Sequence, residues 1–78
     1  MSGDVTNLVR MANQIAEAFK ASPQTEAVEG VATHIKSFWA PKLRQRLIDH
    51  AAAGHSGLLP LTIQAIDVLK RKDAVHQP

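Results

Sequence analysis

Four histidines and seven carboxylates are the side chains of this sequence that are best suited to acid–base chemistry or metal binding. The histidines are His34, His50, His55 and His76, and no two of them are three or four residues apart. Zinc motifs on one helix use that spacing so that both imidazoles reach the same ion. The sequence also lacks cysteine, a glycine-rich phosphate loop and a G-x-S-x-G nucleophile motif. It therefore predicts no metal site and no intrinsic catalytic activity.

A polar face on the predicted first helix is a candidate docking surface. Arg10, Asn13, Gln14 and Glu17 are three and four residues apart, and residues at these spacings are neighbours on one side of a helix. Asparagine is a poor helix former, so Asn13 carries a small cost at this position. Amide groups beside an arginine suit a hydrogen-bonded contact with a partner. The alternative is a merely solvated polar face.

An aromatic and basic segment occupies the middle of the chain. Phe38 and Trp39 end an apolar stripe, and Pro41 follows them. A small core needs large side chains, so both rings are expected in the core. The alternative is that Trp39 is partly exposed and docks into a partner, since tryptophan is favoured in binding hot spots. The same segment holds further candidates for contact with a partner or a phosphate group: His34, Lys36, Lys42, Arg44 and Arg46.

Arg44 falls at the edge of the buried face of the predicted third helix. An unpaired guanidinium is costly there, so we expect a partner for it. The candidates are Glu29 or Asp67 in this chain, a carboxylate of another protein, or a phosphate. A helix, a proline turn and a basic helix also resemble a helix-turn-helix, so a small nucleic-acid-binding module is the alternative function. The short turn and the absence of a mixed polar reading face make nucleic acid the less favoured partner.

Length and composition restrict the class of protein. The chain has 78 residues and no cysteine, which predicts one domain with a thin core and no disulfide, and fits a reducing compartment. No apolar run approaches the ~20 residues of a membrane span and no signal sequence is evident, so we expect a cytoplasmic protein. From residue 34 onward there are seven positive and three negative residues. This excess favours an acidic or phosphate-bearing partner.

Apolar residues repeat at helical spacing in four segments, and no strand-like alternation occurs. Asp4 is the expected N-cap of the first helix. The second helix is expected from about Pro23 to Trp39, with Ser22 as its cap. Gly30 lies inside it, where glycine is unfavourable, so we expect another helix to approach closely there.

Two prolines mark the starts of the other helices. The third is expected from Pro41 to about Ala53, followed by Gly54 in a left-handed conformation. The fourth is expected to begin at Pro60 and to end near residue 72. These elements predict an all-α fold, a small bundle of four short helices joined by tight turns. We expect residues 1–72 to form a single helical domain and residues 73–78 to form a frayed C-terminal tail.

Three sequence blocks, in this order and at these separations, resemble one known family. They are LVRMANQIAEAF (8–19), VATHIKSFWAPKLR (31–44) and AAGHSGLLPL (52–61). The family is the delta subunit of soluble, NAD-dependent, molybdenum-containing formate dehydrogenases of bacteria, and the resemblance covers about residues 5–69. Leu43 and Leu59 depart from the family pattern, which more often has methionine at the first position and a capping serine or aspartate at the second. Ser56 is then the expected cap of the fourth helix.

The resemblance implies an accessory subunit rather than a catalyst. In that family, formate is oxidised on a large catalytic subunit with a bis-molybdopterin guanine dinucleotide cofactor, and electrons pass through iron–sulfur clusters and flavin to NAD. The delta subunit is associated with molybdenum cofactor insertion or with stabilising the assembled enzyme. The expected partner is therefore the large catalytic subunit. No cofactor is expected to be bound intrinsically, but the basic turn offers a transient contact with the dinucleotide cofactor or a guanine nucleotide.

Overall fold

The computed structural model describes residues 5–54 and 57–75, with side chains as far as Lys72. These residues form four helices and no strand: α1 Val5–Phe19, α2 Gln24–Phe38, α3 Pro41–Ala52 and α4 Pro60–Val75. The predicted all-α class and four-helix bundle are confirmed. Asp4 and Ser56, the predicted caps of α1 and α4, lie outside the described residues.

Local signals at both ends of α3 and at the start of α4 determine the helix boundaries as predicted. Pro41 and Pro60 are the first residues of their helices. Ala40, before Pro41, has an extended backbone with ψ of 144°, because proline disfavours the helical conformation in the residue before it. Gly54 follows α3 with a positive φ of 144°. Helix α4 continues to Val75 and so includes three residues of the predicted tail; residues 76–78 lie outside the described part.

The start of α2 differs from the prediction by one residue. The helix begins at Gln24, and Pro23 occupies the N-cap position without a side-chain cap. The Pro23 carbonyl accepts the first helical hydrogen bond, from the Ala27 amide at 2.8 Å. The predicted Ser22 cap is therefore wrong. The Ser22 amide instead donates to the Phe19 carbonyl at 3.0 Å and closes the end of α1.

The core lies between all four helices, and α2 packs most extensively against α4. Helix α1 presents Leu8, Ala12 and Ala16, each four residues from the last, toward the core. The small alanines let neighbouring helices approach α1 closely. The largest fully buried side chains come from every helix: Leu8, Val31, Ile35, Leu47, Thr62, Ile66 and Leu69.

Gly30 is closely packed, and its nearest neighbour is the Phe19 side chain at the end of α1. A Cβ atom added at this position would lie 2.5 Å from Cε1 of Phe19, the last residue of α1. That distance is far inside van der Waals contact, so a larger residue here would require the Phe19 ring to shift from its position against α2. The ring in turn fixes where the end of α1 meets the middle of α2.

The two aromatic residues at the end of α2 have opposite environments. Trp39 belongs to the core and is 9% exposed, whereas Phe38 is 76% exposed. The prediction that Phe38 lies in the core is therefore wrong. Helical side chains lean toward the N-terminus of the helix, and Phe38 lies against the His34 ring one turn earlier, with 4.7 Å between the ring centroids. The backbone becomes extended at Trp39, with φ −90° and ψ 141°, as the chain leaves α2.

Candidate docking surfaces

The polar residues predicted to share one face of α1 have different surroundings in the structure. Arg10, Gln14 and Glu17 are exposed. The Arg10 guanidinium donates a hydrogen bond to the Asn7 side chain on its own helix. Asn13 is partly buried and turns toward the segment that leads into α4. These residues therefore do not form one uniform docking surface.

The Asn13 amide holds the start of α4 in place. Its Oδ1 accepts hydrogen bonds from the Leu59 amide at 3.1 Å and from the Thr62 hydroxyl at 2.8 Å. Its Nδ2 donates to the Gly57 carbonyl at 2.9 Å. The first amides of a helix lack partners within the helix, and the leucine side chain before Pro60 has no acceptor. Asn13 supplies an acceptor for the Leu59 amide from another helix, and so caps the start of α4 through contacts within the chain.

An apolar surface lies between α1 and α2. It consists of Met11, Ile15 and Phe19, one turn apart on α1, and of His34 and Phe38, one turn apart on α2. We call these five residues the aromatic face. The first four are half-buried, and Phe38 is the one large apolar side chain that is mostly exposed in the described part of the chain.

Two grooves flank the Phe19 ring on the aromatic face. The first, of about 380 Å³, lies between α1 and α2 and reaches Gln14 and the edge of Trp39. The second, of about 450 Å³, runs along α2 beside Phe38. His34 borders both grooves. The structure thus brings together three residues that the sequence analysis selected as candidates, Gln14, His34 and Trp39.

Arg44 lies partly buried at the corner between α2 and α3. Its Nη1 donates to the carbonyls of Lys36 and Trp39, at 3.3 and 3.4 Å. The last carbonyls of a helix lack partners within the helix, and a cation near them is favoured by the helix dipole. These main-chain carbonyls are acceptors of a different kind from the partners predicted for Arg44, which were Glu29 or Asp67, a carboxylate of another protein, or a phosphate. Arg44 therefore links the end of α2 to the start of α3 through these two hydrogen bonds.

We expect Arg44→Ala to lower the free energy of unfolding by about 1 kcal/mol, because the two hydrogen bonds are long and only partly shielded from water. Arg44→Lys should recover part of this loss, since an ammonium lacks the planar, multi-donor guanidinium. Thermal melting measures the effect, with Arg46→Ala as the control because Arg46 is exposed on the same helix. An Arg44→Ala protein that melts like the parent would assign the side chain to an external partner instead.

The other basic residues of the central segment lie on different surfaces. Lys42 and Arg46 are exposed on α3, four residues apart. Lys36 borders a groove between α2 and α4. A helix that reads DNA presents its polar side chains together on one face. The observed separation of Lys36, Arg44 and Arg46 gives no such face.

The described residues contain no group of three or more histidine, aspartate or glutamate side chains that could hold a metal ion. His34 belongs to the aromatic face, and His50 lines a small groove beside α1; His55 and His76 lie outside the described residues. Among the helices that the structure describes, none combines the length and the apolar character needed to cross a bilayer.

Comparison with known protein families gives a match. Residues 7–66 match the family described as the NADH-dependent formate dehydrogenase delta subunit, FdsD. The matched region begins in α1 and ends in α4, so it includes the aromatic face and all the hydrogen-bond partners of Asn13. No curated protein matches the chain, and no solved structure does. The match covers well over half of the chain, and the chain therefore belongs to the delta-subunit family of NADH-dependent formate dehydrogenases.

Proposed function

We propose that this chain is a non-catalytic accessory subunit that docks on the large catalytic subunit of a formate dehydrogenase through the aromatic face. The observation that carries the proposal is the exposure of Phe38, which is 76% accessible at the end of α2. Scattered exposed apolar residues are ordinary on protein surfaces. Phe38 differs because it continues an apolar strip that crosses from α1 to α2. Family membership supports a catalytic-subunit partner, since a delta subunit is part of an enzyme complex.

The aromatic face has the composition of a small protein–protein interface. Such interfaces have an apolar, aromatic centre and a polar rim. Here the Phe19, His34 and Phe38 rings form the centre, and Gln14 and Ser37 border the adjoining grooves. A groove on each side of the Phe19 ring offers a place for an apolar side chain of the catalytic subunit.

Two roles are compatible with this docking, and both are part of the proposal. The subunit either assists insertion of the molybdenum cofactor into the catalytic subunit or stabilises the assembled enzyme. Neither role requires a redox centre on this chain. A transient contact with the phosphates of bis-molybdopterin guanine dinucleotide or a guanine nucleotide is a finer proposal. Lys42 and Arg46 are the candidates for it, because Arg44 is directed toward main-chain carbonyls.

We expect Phe38→Ala to weaken binding to the catalytic subunit by about tenfold or more, as truncation of an aromatic hot spot does. The melting temperature should hardly change, because the ring is mostly exposed. Titration of the purified catalytic subunit with each variant measures the affinity, and a melting curve measures the fold. Gln45→Ala is the matched control, since Gln45 is also exposed but lies on α3 and has no proposed contact with the partner or the cofactor.

If Phe38→Ala binds the catalytic subunit as tightly as the parent does, the interface does not depend on the aromatic face, and variants of Arg10 and Gln14 would be tested next.

The two roles of the subunit are distinguished by measuring the molybdenum content of the catalytic subunit when it is produced without the delta subunit. Low molybdenum content indicates a function in cofactor insertion. Normal molybdenum content, combined with dissociation of the enzyme complex on dilution, indicates a function in stabilising the complex.

A further inference from the structure

The aromatic face contains one sulfur atom, in the side chain of Met11. This residue is half-buried on α1 and borders the groove of about 380 Å³ together with Ile15 and Phe19. A methionine thioether is a common site of oxidation in proteins, and its sulfoxide is polar where the thioether is apolar. Oxidation of Met11 would therefore change the chemical character of the aromatic face without a substitution.

The Met11 sulfur lies at the polar edge of this face. The Asn7 Nδ2 group, one turn earlier on α1, donates a hydrogen bond to Sδ at 3.8 Å. The Arg10 guanidinium donates to Oδ1 of the same amide, which leaves Nδ2 as the group directed toward the sulfur. Asn7 and Arg10 are both exposed. The sulfur thus has a solvent-exposed amide on one side and the apolar groove on the other, so a small oxidant in water can reach it.

We propose that Met11 is a reversible oxidation site that weakens docking on the catalytic subunit, an inference that rests on the function proposed for the aromatic face. The oxidant is a peroxide. A lone pair of the sulfur attacks one peroxide oxygen, an S–O bond forms and the O–O bond breaks, and the second oxygen leaves as water after taking up the proton. The sulfur loses two electrons, and the peroxide gains them. A methionine sulfoxide reductase reverses the step, with two thiols as reductant and with a disulfide and water as products.

The surroundings of the sulfur can accommodate a sulfoxide in the free chain. The sulfoxide oxygen is a hydrogen-bond acceptor, and Asn7 Nδ2 is already directed at the sulfur. In the docked state the same polar group would lie at the apolar centre of the interface, where burying it without a partner is costly. Oxidation should therefore lower the affinity for the catalytic subunit more than it lowers the stability of the fold.

Met11 has a competing explanation as a packing residue. Flexible thioethers fill irregular gaps in cores, and Met11 packs against the buried cluster. If packing were its whole role, oxidation would lower the melting temperature, and the chain that remained folded would bind the catalytic subunit as before. Melting and affinity measured on the same oxidised sample separate the two explanations.

The test treats the full chain with hydrogen peroxide and follows the gain of oxygen at Met11 by peptide mass spectrometry, with N-acetylmethionine in the same solution as the reference. We expect Met11 to be oxidised at a rate within about tenfold of the reference, because its sulfur is accessible. Titration of the purified catalytic subunit should then show an affinity lowered by about tenfold. Treatment with a methionine sulfoxide reductase should restore the affinity of the untreated chain.

Met11→Leu is the matched control, because it removes the sulfur and nearly conserves the side-chain volume. It should bind within about twofold of the parent, and peroxide should leave its affinity unchanged even though the variant retains Met1, the other methionine of the sequence. Met11→Gln places a polar amide at the same position and should lower the affinity without any oxidant. Circular dichroism at the temperature of the titration checks that each sample is folded.

Three results would overturn the inference. Oxidation of Met11 more slowly than the stated limit would mean that peroxide does not reach the sulfur. An equal loss of affinity in peroxide-treated Met11→Leu would place the damage at another residue. Complete conversion to the sulfoxide with unchanged affinity would remove the regulatory role, and the Phe38→Ala variant then decides the function proposed above. That function stands if Phe38→Ala binds weakly, and it fails together with this inference if Phe38→Ala binds like the parent.

Discussion

Replacing Trp39 with alanine is expected to lower the free energy of unfolding by about 3–5 kcal/mol, the usual effect of truncating a buried tryptophan. Trp39 is 9% exposed and belongs to the core at the end of α2. A domain of this size has roughly 5 kcal/mol of stability in total. Because each kcal/mol corresponds to about 4–8 °C in a domain of 60–100 residues, the variant should be largely unfolded at physiological temperature.

Phe38→Ala is the matched control for Trp39→Ala. The two residues are adjacent, and both are aromatic. Truncating the exposed Phe38 ring removes its contact with the His34 ring. This loss should lower the free energy of unfolding by no more than about 1 kcal/mol. Far-ultraviolet circular dichroism melts are the suitable measurement, because Trp39 is the only tryptophan and fluorescence disappears with it. A Trp39→Ala protein that melts like the parent but fails to bind the catalytic subunit would make Trp39 a docking residue.

The exposure of Phe38 shows what helical periodicity does not determine. Both aromatic residues fall on the apolar stripe of α2, and periodicity assigns both to the core. An apolar stripe predicts burial only if the helix continues through the stripe and a neighbouring helix covers the full length of the stripe. Helix α2 ends at Phe38, and the extended backbone at Trp39 changes the direction of the next side chain. Which ring enters the core depends on this change, and periodicity does not report it.

Boundaries set by proline and glycine were predictable because their causes are local. Pro41, Pro60 and Gly54 act through the permitted backbone angles of one or two residues, and they lie where predicted. Gly30 was also informative, since an unfavourable residue inside a helix needs a packing reason. The sequence did not identify Phe19 as the neighbour, because that contact depends on how α1 and α2 pack.

Asn13 and Leu59 were each noticed as irregularities, but their connection was not predicted. An asparagine in the middle of α1 suggested an external partner, and a leucine before α4 shifted the expected cap of that helix to Ser56. In the structure the Asn13 Oδ1 accepts a hydrogen bond from the Leu59 amide, which lies 46 positions later in the sequence. A residue that is unfavourable inside a helix, and another helix whose first proline follows a residue without a capping side chain, are together a signal for such a contact. Neither alone identifies the other.

This cap leads to the second large effect. We expect Asn13→Ala to lower the free energy of unfolding by about 1–3 kcal/mol, because it removes both hydrogen bonds accepted by Oδ1 and the one donated by Nδ2. The Thr62 hydroxyl is fully buried, so losing its acceptor is costly. The loss should be concentrated at the start of α4. Hydrogen exchange of the first amides of α4 should accelerate more than exchange in α2.

Two further variants separate the parts of the Asn13 contact. Asn13→Asp keeps an acceptor for the Leu59 amide and the Thr62 hydroxyl, and places a negative charge near the start of α4, where the helix dipole favours it. It loses the donor to the Gly57 carbonyl, so its stability should lie between those of the parent and Asn13→Ala. Thr62→Val removes the buried hydroxyl, and Asn13→Ala should then destabilise less than it does in the parent, with a coupling of roughly 0.5–3 kcal/mol.

The neighbouring Gln14→Ala variant is the control, because Gln14 is exposed on the same helix and its truncation should change stability by less than about 0.5 kcal/mol. Additive effects of Asn13→Ala and Thr62→Val would contradict the proposed cap. Asn13→Ala with parent stability and weakened binding to the catalytic subunit would return Asn13 to the docking surface. If instead α4 loosens and binding through Phe38 persists, the cap and the aromatic face are independent parts of the subunit.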